Sequence, residues 1–176
     1  MTVHLETPVG PRDHVRGPAD APVTLVEYGD FECHFCAEAH PVVRALAARF
    51  EHSLRVVFRH APQTRLHPGA VIAAVAAEAA GAQGRFWDMH DLLFTSRPAL
   101  TLDGLAGAAG TLGLDVDRFR ADVESRRFLP IVTELERSGA HTVRGTPTFF
   151  LDGVRFEQGS DFDTLAAAIE AARAGR

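Results

Sequence analysis

The 176-residue sequence contains no lysine, no asparagine and only two cysteines. All 18 basic residues are arginines, which are scattered along the chain, and the formal net charge is −5. Because no basic patch or positive balance is present, the charge gives no reason to expect a nucleic-acid partner. The absence of lysine is typical of codon bias in a GC-rich genome and indicates no function.

Long hydrophobic runs are also missing. The alanine-rich stretch AVIAAVAAEAAGA at 70–82 is interrupted by Glu78 and is shorter than the roughly 20 apolar residues of a membrane span. Residues 1–23 have no apolar segment of the kind found in a secretory signal. The sequence therefore predicts no membrane span and favours the cytoplasm. A periplasmic or other extracytoplasmic location stays open, since the starting Met could be engineered.

The composition is that of an ordinary globular domain. Hydrophobic residues make up 46% and charged residues 23% of the chain. A chain of this size builds a sufficient core without a covalent staple, so the two cysteines are available for chemistry.

The first third of the chain predicts a parallel pair of strands. After a Pro- and Gly-rich arm at 1–20, the β-branched run at 23–28 indicates a buried strand. Apolar residues then recur at helical spacing over 34–51, and a second strand follows at 54–58. Strand, helix and strand of these lengths form a βαβ unit, whose two strands run parallel.

The rest of the chain predicts a helical block followed by a hairpin and a helix. Residues 62–142 are rich in alanine and leucine and give no strand signal, whereas 146–156 reads strand, Asp-Gly, strand. The order predicts one α/β domain formed by 21–61 and 143–176, with a helical subdomain inserted at 62–142. Candidate helix N-caps are Thr101, Asp115 and Asp161.

The two cysteines, Cys33 and Cys36, stand three positions apart in the segment YGDFECHFCAEAH. A structural disulfide would close a loop of only about four residues, where the entropic gain is smallest. A zinc site needs about four ligands, but there is no second cysteine pair, and His34 and His40 do not match a finger-like spacing. Thiol–disulfide exchange is the interpretation that the context favours.

The physical reason lies in the predicted position of Cys33, between a strand end and a helix start. Unpaired backbone N–H groups and the helix dipole stabilise a thiolate at a helix N-terminus. A stabilised thiolate is both the attacking sulfur and a good leaving group. Cys36, one turn further on the same face, is expected to be more buried and to release the partner from a mixed disulfide.

A proline begins the predicted hairpin, in the segment VRGTPTFFLDG. From the sequence alone, the ordinary interpretation of Thr146-Pro147 is a trans proline at a strand start, because only about 5–6% of such bonds are cis in folded proteins.

Four separated segments carry a resemblance to a known family. They read APVTLVEYGDFECHFC, GRFWDMHDLLF, LGLDVDRFRAD and VRGTPTFFLDG. Together they resemble the DsbA-like thioredoxin-fold oxidoreductases, and most closely a bacterial subgroup that also occurs fused to sodium/proton antiporters. The resemblance extends over about 17–170. It implies a thioredoxin-like fold with a helical insertion, and disulfide exchange with protein or peptide thiols.

The resemblance also implies roles for particular residues. Cys33 would be the nucleophile and Cys36 the resolving thiol, while Thr146 and a cis Pro147 would form the loop that docks the substrate backbone like an added strand. Glu27 would be a partly buried carboxyl that relays protons to or from Cys36. The alternative for Glu27 is a strand residue that faces solvent.

One residue departs from the family pattern. Members usually carry proline directly after the first cysteine, and here that position is His34. A protonated His34 would favour the thiolate and make the protein more oxidising, whereas a neutral, exposed one would do little. Phe31 and Phe35 are expected to form an apolar rim that grips extended peptide, or else to belong to the core.

No cofactor or metal is expected besides the redox-active Cys33–Cys36 pair. A redox partner that recycles this pair is expected. The direction, oxidase or reductase, is left open by the sequence. A different class of function also remains: a redox-sensing or metal-binding module that uses the same cysteines without turnover. Asp30 and Glu32, which flank the motif, are expected to be exposed loop carboxylates.

Overall fold

The computed structural model of the protein describes residues 2–175, so position 1 of the predicted arm and position 176 of the predicted α/β domain lie outside the described residues. Within this part of the chain, five strands form one sheet in the order β1-β3-β2-β4-β5. The strands are β1 (His14–Arg16), β2 (Val23–Gly29), β3 (Leu54–His60), β4 (Thr148–Leu151) and β5 (Val154–Phe156).

Seven helices accompany the sheet within residues 2–175. They are α1 (His34–Arg49), α2 (Ala70–Gly81), α3 (Phe86–Thr95), α4 (Leu102–Thr111), α5 (Val116–Glu124), α6 (Leu129–Arg137) and α7 (Phe162–Ala174). Among the described residues, none of these helices is both long and apolar enough to cross a bilayer.

The predicted βαβ unit is present. β2 pairs in parallel with β3, and α1 forms the crossover between them. β4 lies antiparallel on the other side of β2 and continues into β5 through a turn at Asp152 and Gly153. Both turn residues have positive φ, +48° and +80°, as the hairpin turn favoured by an Asp-Gly sequence requires. This arrangement makes β2 the central strand of the sheet.

The predicted arm contributes to the sheet. β1 pairs antiparallel with β3 and forms one sheet edge. Trp87 of α3 donates a hydrogen bond from its indole N–H to the Val15 carbonyl, 3.1 Å away, and the Arg16 guanidinium lies over the indole ring. The arm is therefore tied to both the sheet and the helical block. The division of the chain into arm, α/β domain and inserted subdomain stays a prediction.

The helical block comprises α2 to α6, and α2 is its most buried helix. The alanines of α2 are almost all buried, and α3, α5 and α6 pack against it. Small side chains let these helices approach closely, which explains the long alanine run without a membrane. The predicted N-caps Thr101, Asp115 and Asp161 are confirmed: each side chain accepts a hydrogen bond from the backbone N–H three residues on.

A buried ionic network joins three elements of the fold. Glu78 of α2 accepts hydrogen bonds at Oε1 from Nε2 of His14 in β1, at 2.9 Å, and from Nε2 of His60 in β3, at 2.8 Å. Burial alone would raise the pKa of Glu78, but the hydrogen bonds and charge of the two histidines lower it to about 2. The network fastens the helical block to the sheet.

Glu78→Gln is expected to lower the free energy of unfolding by about 3 kcal/mol at pH 7, the equivalent of a carboxyl pKa lowered from 4.5 to about 2. The carboxylate contributes fully above its unfolded pKa, and its contribution is lost as the pH falls toward 2. Denaturant titrations at pH 7 and pH 3 measure this difference. Glu134→Gln, which removes an exposed pair with Arg12, is the control and should cost less than about 1 kcal/mol. An equal loss at both pH values would contradict the ionic explanation.

Candidate active site

Cys33 lies at the junction of sheet and helix. β2 ends at Gly29, and α1 begins at His34, so Cys33 is the N-cap residue of α1. Its backbone is extended, and its carbonyl oxygen already accepts the first bond of the helix, from the Ala37 N–H. The sulfur therefore lies at the positive end of the helix dipole, where a thiolate is stabilised.

The loop before β4 meets this sulfur. Because β4 lies beside β2, residues just before β4 reach the same end of the sheet as Cys33. The Cys33 thiol donates a hydrogen bond to the Thr146 carbonyl oxygen, with 3.3 Å between Sγ and O. The Thr146–Pro147 peptide bond is cis, as the family resemblance implies. The low frequency of cis bonds before proline would by itself have favoured a trans bond.

Cys36 lies one helical turn deeper and has no exposed surface. Both cysteines are free thiols. Burial raises the pKa of Cys36 far above its ordinary value, and the nearby Glu27 carboxylate raises it further. Cys36 can therefore act as a nucleophile only if a neighbouring group takes its proton.

Glu27 is the carboxyl placed to do so. It lies in the centre of β2, 3% exposed, and burial raises its pKa to about 8. Among residues 2–175, nothing donates a hydrogen bond to its Oε1. The alternative in which Glu27 faces solvent is therefore wrong, while its role as a proton relay stays a prediction.

Residues 10–171 match the family described as Thioredoxin. The chain belongs to the thioredoxin family. Among solved structures, oxidised BdbD from Bacillus subtilis superposes with a TM-score of 0.87 at 22% identity, covering 97% of both chains. A thioredoxin-like oxidoreductase from Silicibacter pomeroyi gives 0.80 at 28% identity over 94% of both chains. The α-DsbA1 of Wolbachia pipientis gives 0.82 at 17% identity, covering 95% of this chain and 94% of that one.

The curated relatives are longer proteins. This chain is 49% identical over 98% of its length to a protein of Salinispora arenicola named Na(+)/H(+) antiporter NhaA 1, and covers 27% of that protein. It is 47% identical over 97% of its length to Na(+)/H(+) antiporter NhaA 3 of Salinispora tropica, and covers 26% of it. The chain thus spans about a quarter of the length of these relatives.

The predicted α/β thioredoxin-like fold with inserted helices is confirmed, and so is the resemblance to DsbA-like proteins. The chain thus combines a thioredoxin-family fold with two free cysteines at C-x-x-C spacing, a combination that supports a thiol–disulfide oxidoreductase.

His34 and Phe35 lie between the thiols on the exposed start of α1. The His34 side chain is 68% exposed, with Nε2 3.0 Å from the Glu38 carboxylate, and Phe35 is 66% exposed. Exposed pairs of this kind exchange partners with water easily and contribute little to stability. The tuning role of both residues stays a prediction.

The structure corrects the placement of Phe31. It was expected at an apolar rim as a substrate-binding residue, with the core as the alternative, and the core alternative is the correct one, since only 4% of Phe31 is exposed. Its ring packs against Phe58 and Phe94, with centroids 5.2 and 5.0 Å apart, inside the core that joins the helical block to the sheet. Phe31 therefore supports the active-site loop from beneath, and the rim prediction fits only Phe35.

The two flanking carboxylates are also not free loop groups. Asp30 is 2% exposed and accepts hydrogen bonds from the backbone N–H groups of Glu32 and Gln63 and from Nδ1 of His67. Glu32 accepts one from the Gly69 N–H. They fasten the cysteine loop to the segment before α2, which the sequence did not reveal because Gln63, His67 and Gly69 lie more than 30 positions away.

A further polar cluster lies deeper, beneath α1. Nε2 of His40 and Nδ1 of His90 are each 3.0 Å from Oδ1 of Asp91, and Arg16 and Arg44 donate to its Oδ2. Burial opposes ionisation of Asp91, but these hydrogen bonds hold its pKa well below its usual range. Because two guanidinium groups already neutralise the carboxylate, the cluster does not suit a metal ion. The expectation of no metal or other cofactor stays a prediction.

Proposed function

We propose that this protein exchanges disulfides with protein or peptide substrates, with Cys33 as nucleophile and Cys36 as resolving thiol. The observation that carries the proposal is the position of the Cys33 sulfur, at the N-terminus of α1 and 3.3 Å from the carbonyl oxygen that precedes the cis proline. This position supports a nucleophilic role for Cys33 and a docking role for the backbone at Thr146.

The reaction in the reducing direction has two steps. The Cys33 thiolate attacks one sulfur of a substrate disulfide, which forms a mixed disulfide and releases the other substrate sulfur as a thiolate. The ionised form of Glu27, which is the minor form at pH 7 because its pKa is about 8, then takes the Cys36 proton, and the Cys36 thiolate attacks the Cys33 sulfur. The Cys33–Cys36 bond forms, the second substrate thiolate leaves, and two electrons have passed to the substrate. Reversal of both steps oxidises a substrate dithiol, and a recycling redox partner resets the pair.

The docking surface for the substrate is an open groove beside the cis proline. Its walls include Phe35, Arg144, Pro147, Phe149 and Phe156. An extended peptide laid along it could pair its backbone with Thr146 and place apolar side chains on the aromatic rings. The groove supports a substrate that is a polypeptide rather than a small thiol.

Phe35→Ala is expected to raise KM for a peptide disulfide about five- to tenfold, because it removes an exposed ring from the groove wall. The rate with a small aromatic disulfide, which needs no groove, should change less than twofold. Leu66→Ala is the matched control, since Leu66 is 76% exposed but does not line the groove. Equal losses with both substrates would mean that Phe35 tunes the thiols and does not bind peptide.

The proposed function is tested by turnover. A quenched fluorescent peptide disulfide is mixed with catalytic amounts of the protein and an excess of dithiol. The proposal requires many peptide molecules to be reduced per protein molecule, well above the uncatalysed rate. A single stoichiometric exchange would instead favour the second candidate, a redox-sensing module.

The curated relatives favour that second candidate. The chain covers about a quarter of proteins named as sodium/proton antiporters, so it would report redox state to a transporter in such a protein. Oxidation would then change the conformation or partner without sustained turnover. The cytoplasmic location expected from the sequence stays a prediction, and the direction of electron flow is decided by the reduction potential.

A further inference from the structure

Two residues that each carry a buried polar atom without a partner line the same small cavity. Within residues 2–175, neither Oε1 of Glu27 nor Nε2 of His90 has a hydrogen-bond partner in the protein. Both residues line a largely enclosed cavity of about 10 Å³ between β2, α1 and α3. A cavity of that size holds about one water molecule, and buried water binds where polar groups converge. One water molecule in this cavity would supply the partner that the Glu27 carboxyl and the His90 imidazole each lack among the described residues.

The contact between Nδ1 of His90 and Asp91 decides which ring nitrogen of His90 carries the hydrogen. Nδ1 lies 3.0 Å from Oδ1 of Asp91, and an ionised carboxylate only accepts hydrogen bonds. Nδ1 therefore carries the hydrogen, and Nε2 carries a lone pair that has no partner among the described residues. The rings of Phe58 and Trp87 hold the imidazole edge-on, with centroids 4.6 and 4.9 Å away.

Charged groups from every neighbouring element surround this cavity. The strand β1 contributes Arg16, α1 contributes His40 and Arg44, and α3 contributes His90 with Asp91. Cys36 of α1 lies close enough to Glu27 to interact with it electrostatically.

The remaining titratable groups on this face are already paired. His60 of β3 does not line the cavity and is held by Glu78 of α2 together with His14. Arg44 lines the cavity, pairs with Asp91 and has a side chain that is 52% exposed, so it connects this site to the surface.

We propose that His90 is a positioning and proton-relay residue for Glu27, joined to it by one water molecule in this cavity. This role rests on the proposed function, since the proton concerned is the one that Glu27 exchanges with Cys36. Cys36 gives its proton to the Glu27 carboxylate; the resulting acid gives a proton to the water, which passes one of its own to Nε2 of His90. The imidazolium is stabilised by Asp91 and returns the proton to solvent on the Arg44 side.

The electrostatics fit a transient carrier. Burial lowers the pKa of His90 to about 4, although Asp91 opposes that shift, so His90 is neutral at pH 7. Because the pKa of Glu27 is about 8, a proton received from Glu27 makes the imidazolium a minor, short-lived state that releases the proton readily. A water that donates to the Glu27 carboxylate also stabilises its charged form, because hydrogen bonds to charged groups are the stronger ones.

The test compares His90→Leu with His60→Leu, which removes an equally buried histidine on the same sheet face outside the cavity. The infrared carbonyl band of protonated Glu27 is identified by its loss in Glu27→Gln and titrated in each variant. His90→Leu should move its midpoint upward by about one pH unit and slow the resolving step at pH 7 about tenfold. His60→Leu should leave the midpoint in place. An unchanged midpoint in His90→Leu, or equal shifts in both variants, would overturn the proposal.

A second measurement needs no variant of His90. In the native chain, the 15N signals of His90 should show hydrogen on Nδ1, and the Nε2 signal should shift with the same midpoint as the Glu27 band. That shift should vanish in Glu27→Gln, and its persistence there would overturn the link. Neither titration requires exchange activity. A failed turnover assay would therefore reject the proposed function, whereas the two titrations test the link between Glu27 and His90 separately.

Discussion

Cys33→Ser is expected to reduce disulfide exchange to the uncatalysed background, while Cys36→Ser keeps the first attack and accumulates a mixed disulfide with the substrate. The reason is the different surroundings of the two sulfurs. Cys33 lies at the helix N-terminus beside the docking loop, whereas Cys36 is fully buried and its pKa is raised by burial and by Glu27. A serine hydroxyl at either position cannot form the required S–S bond.

The sequence makes this experiment unusually clean, because the chain has no other cysteine. Intact mass after incubation with a peptide disulfide counts every adduct, and each adduct can be assigned to one sulfur. The control is the double variant, Cys33→Ser with Cys36→Ser, which should gain no mass. A stable adduct on Cys36 in Cys33→Ser, or no adduct in Cys36→Ser, would reverse or remove the assigned roles.

Glu27→Gln is expected to stabilise the reduced protein by about 3 kcal/mol at pH 7 and about 5 kcal/mol above pH 8, with almost no effect at pH 4. Burial raises the pKa of Glu27 from 4.5 to about 8, so the folded state holds a proton that the unfolded state releases. Stability is therefore lost as the pH rises from 4.5 to 8 and then stays level. Glutamine has no charge to bury and escapes this loss.

The same substitution should slow the resolving step, since the proton of Cys36 loses its acceptor. Denaturant titrations at pH 4, 7 and 9 measure the stability, and single-turnover release of peptide measures the rate. Glu38→Gln is the matched control: this carboxyl is 61% exposed on α1 and should change stability by less than about 1 kcal/mol at any pH. A stability difference that does not vary between pH 4 and pH 9 would show that Glu27 is not a buried acid.

Local signals account for most of the fold that the sequence predicted. The βαβ unit, the Asp152-Gly153 turn and the N-caps each depend on residues within a few positions of one another. The predicted helix at 34–51 is observed as His34–Arg49, and the strand at 54–58 as Leu54–His60. Such elements follow from periodicity, turn chemistry and capping without knowledge of the tertiary structure.

The site was predicted less completely because its contacts join distant segments. The burial of Phe31 follows from rings on β3 and α3, and that of Asp30 from donors before α2. A Phe or Asp in a loop looks the same in sequence whether or not such partners arrive. The cis bond before Pro147 was implied only by the family resemblance.

The cluster around Asp91 shows the same limit in a functional setting. His90 and Asp91 stand in the segment GRFWDMHDLLF, where helical spacing alone places both on α3 without indicating a partner. Only the fold brings His40 of α1 and Arg16 of β1 to the same carboxylate. One available signal was the HD pair itself, since an acidic neighbour fixes the protonated nitrogen of a buried histidine.

The central claim, that Cys33 and Cys36 form a reversible redox pair, is tested most directly by their reduction potential. The protein is equilibrated in glutathione buffers, its thiols are tagged, and the oxidised fraction is read from the mass. We expect a two-electron transition between an open dithiol and an intramolecular disulfide, at a potential between about −270 and −120 mV. A value near the lower end would mark a reductase suited to the cytoplasm, and one near the upper end an oxidant. If no intramolecular disulfide forms at any ratio of oxidised to reduced glutathione, Cys33 and Cys36 are not a reversible redox pair.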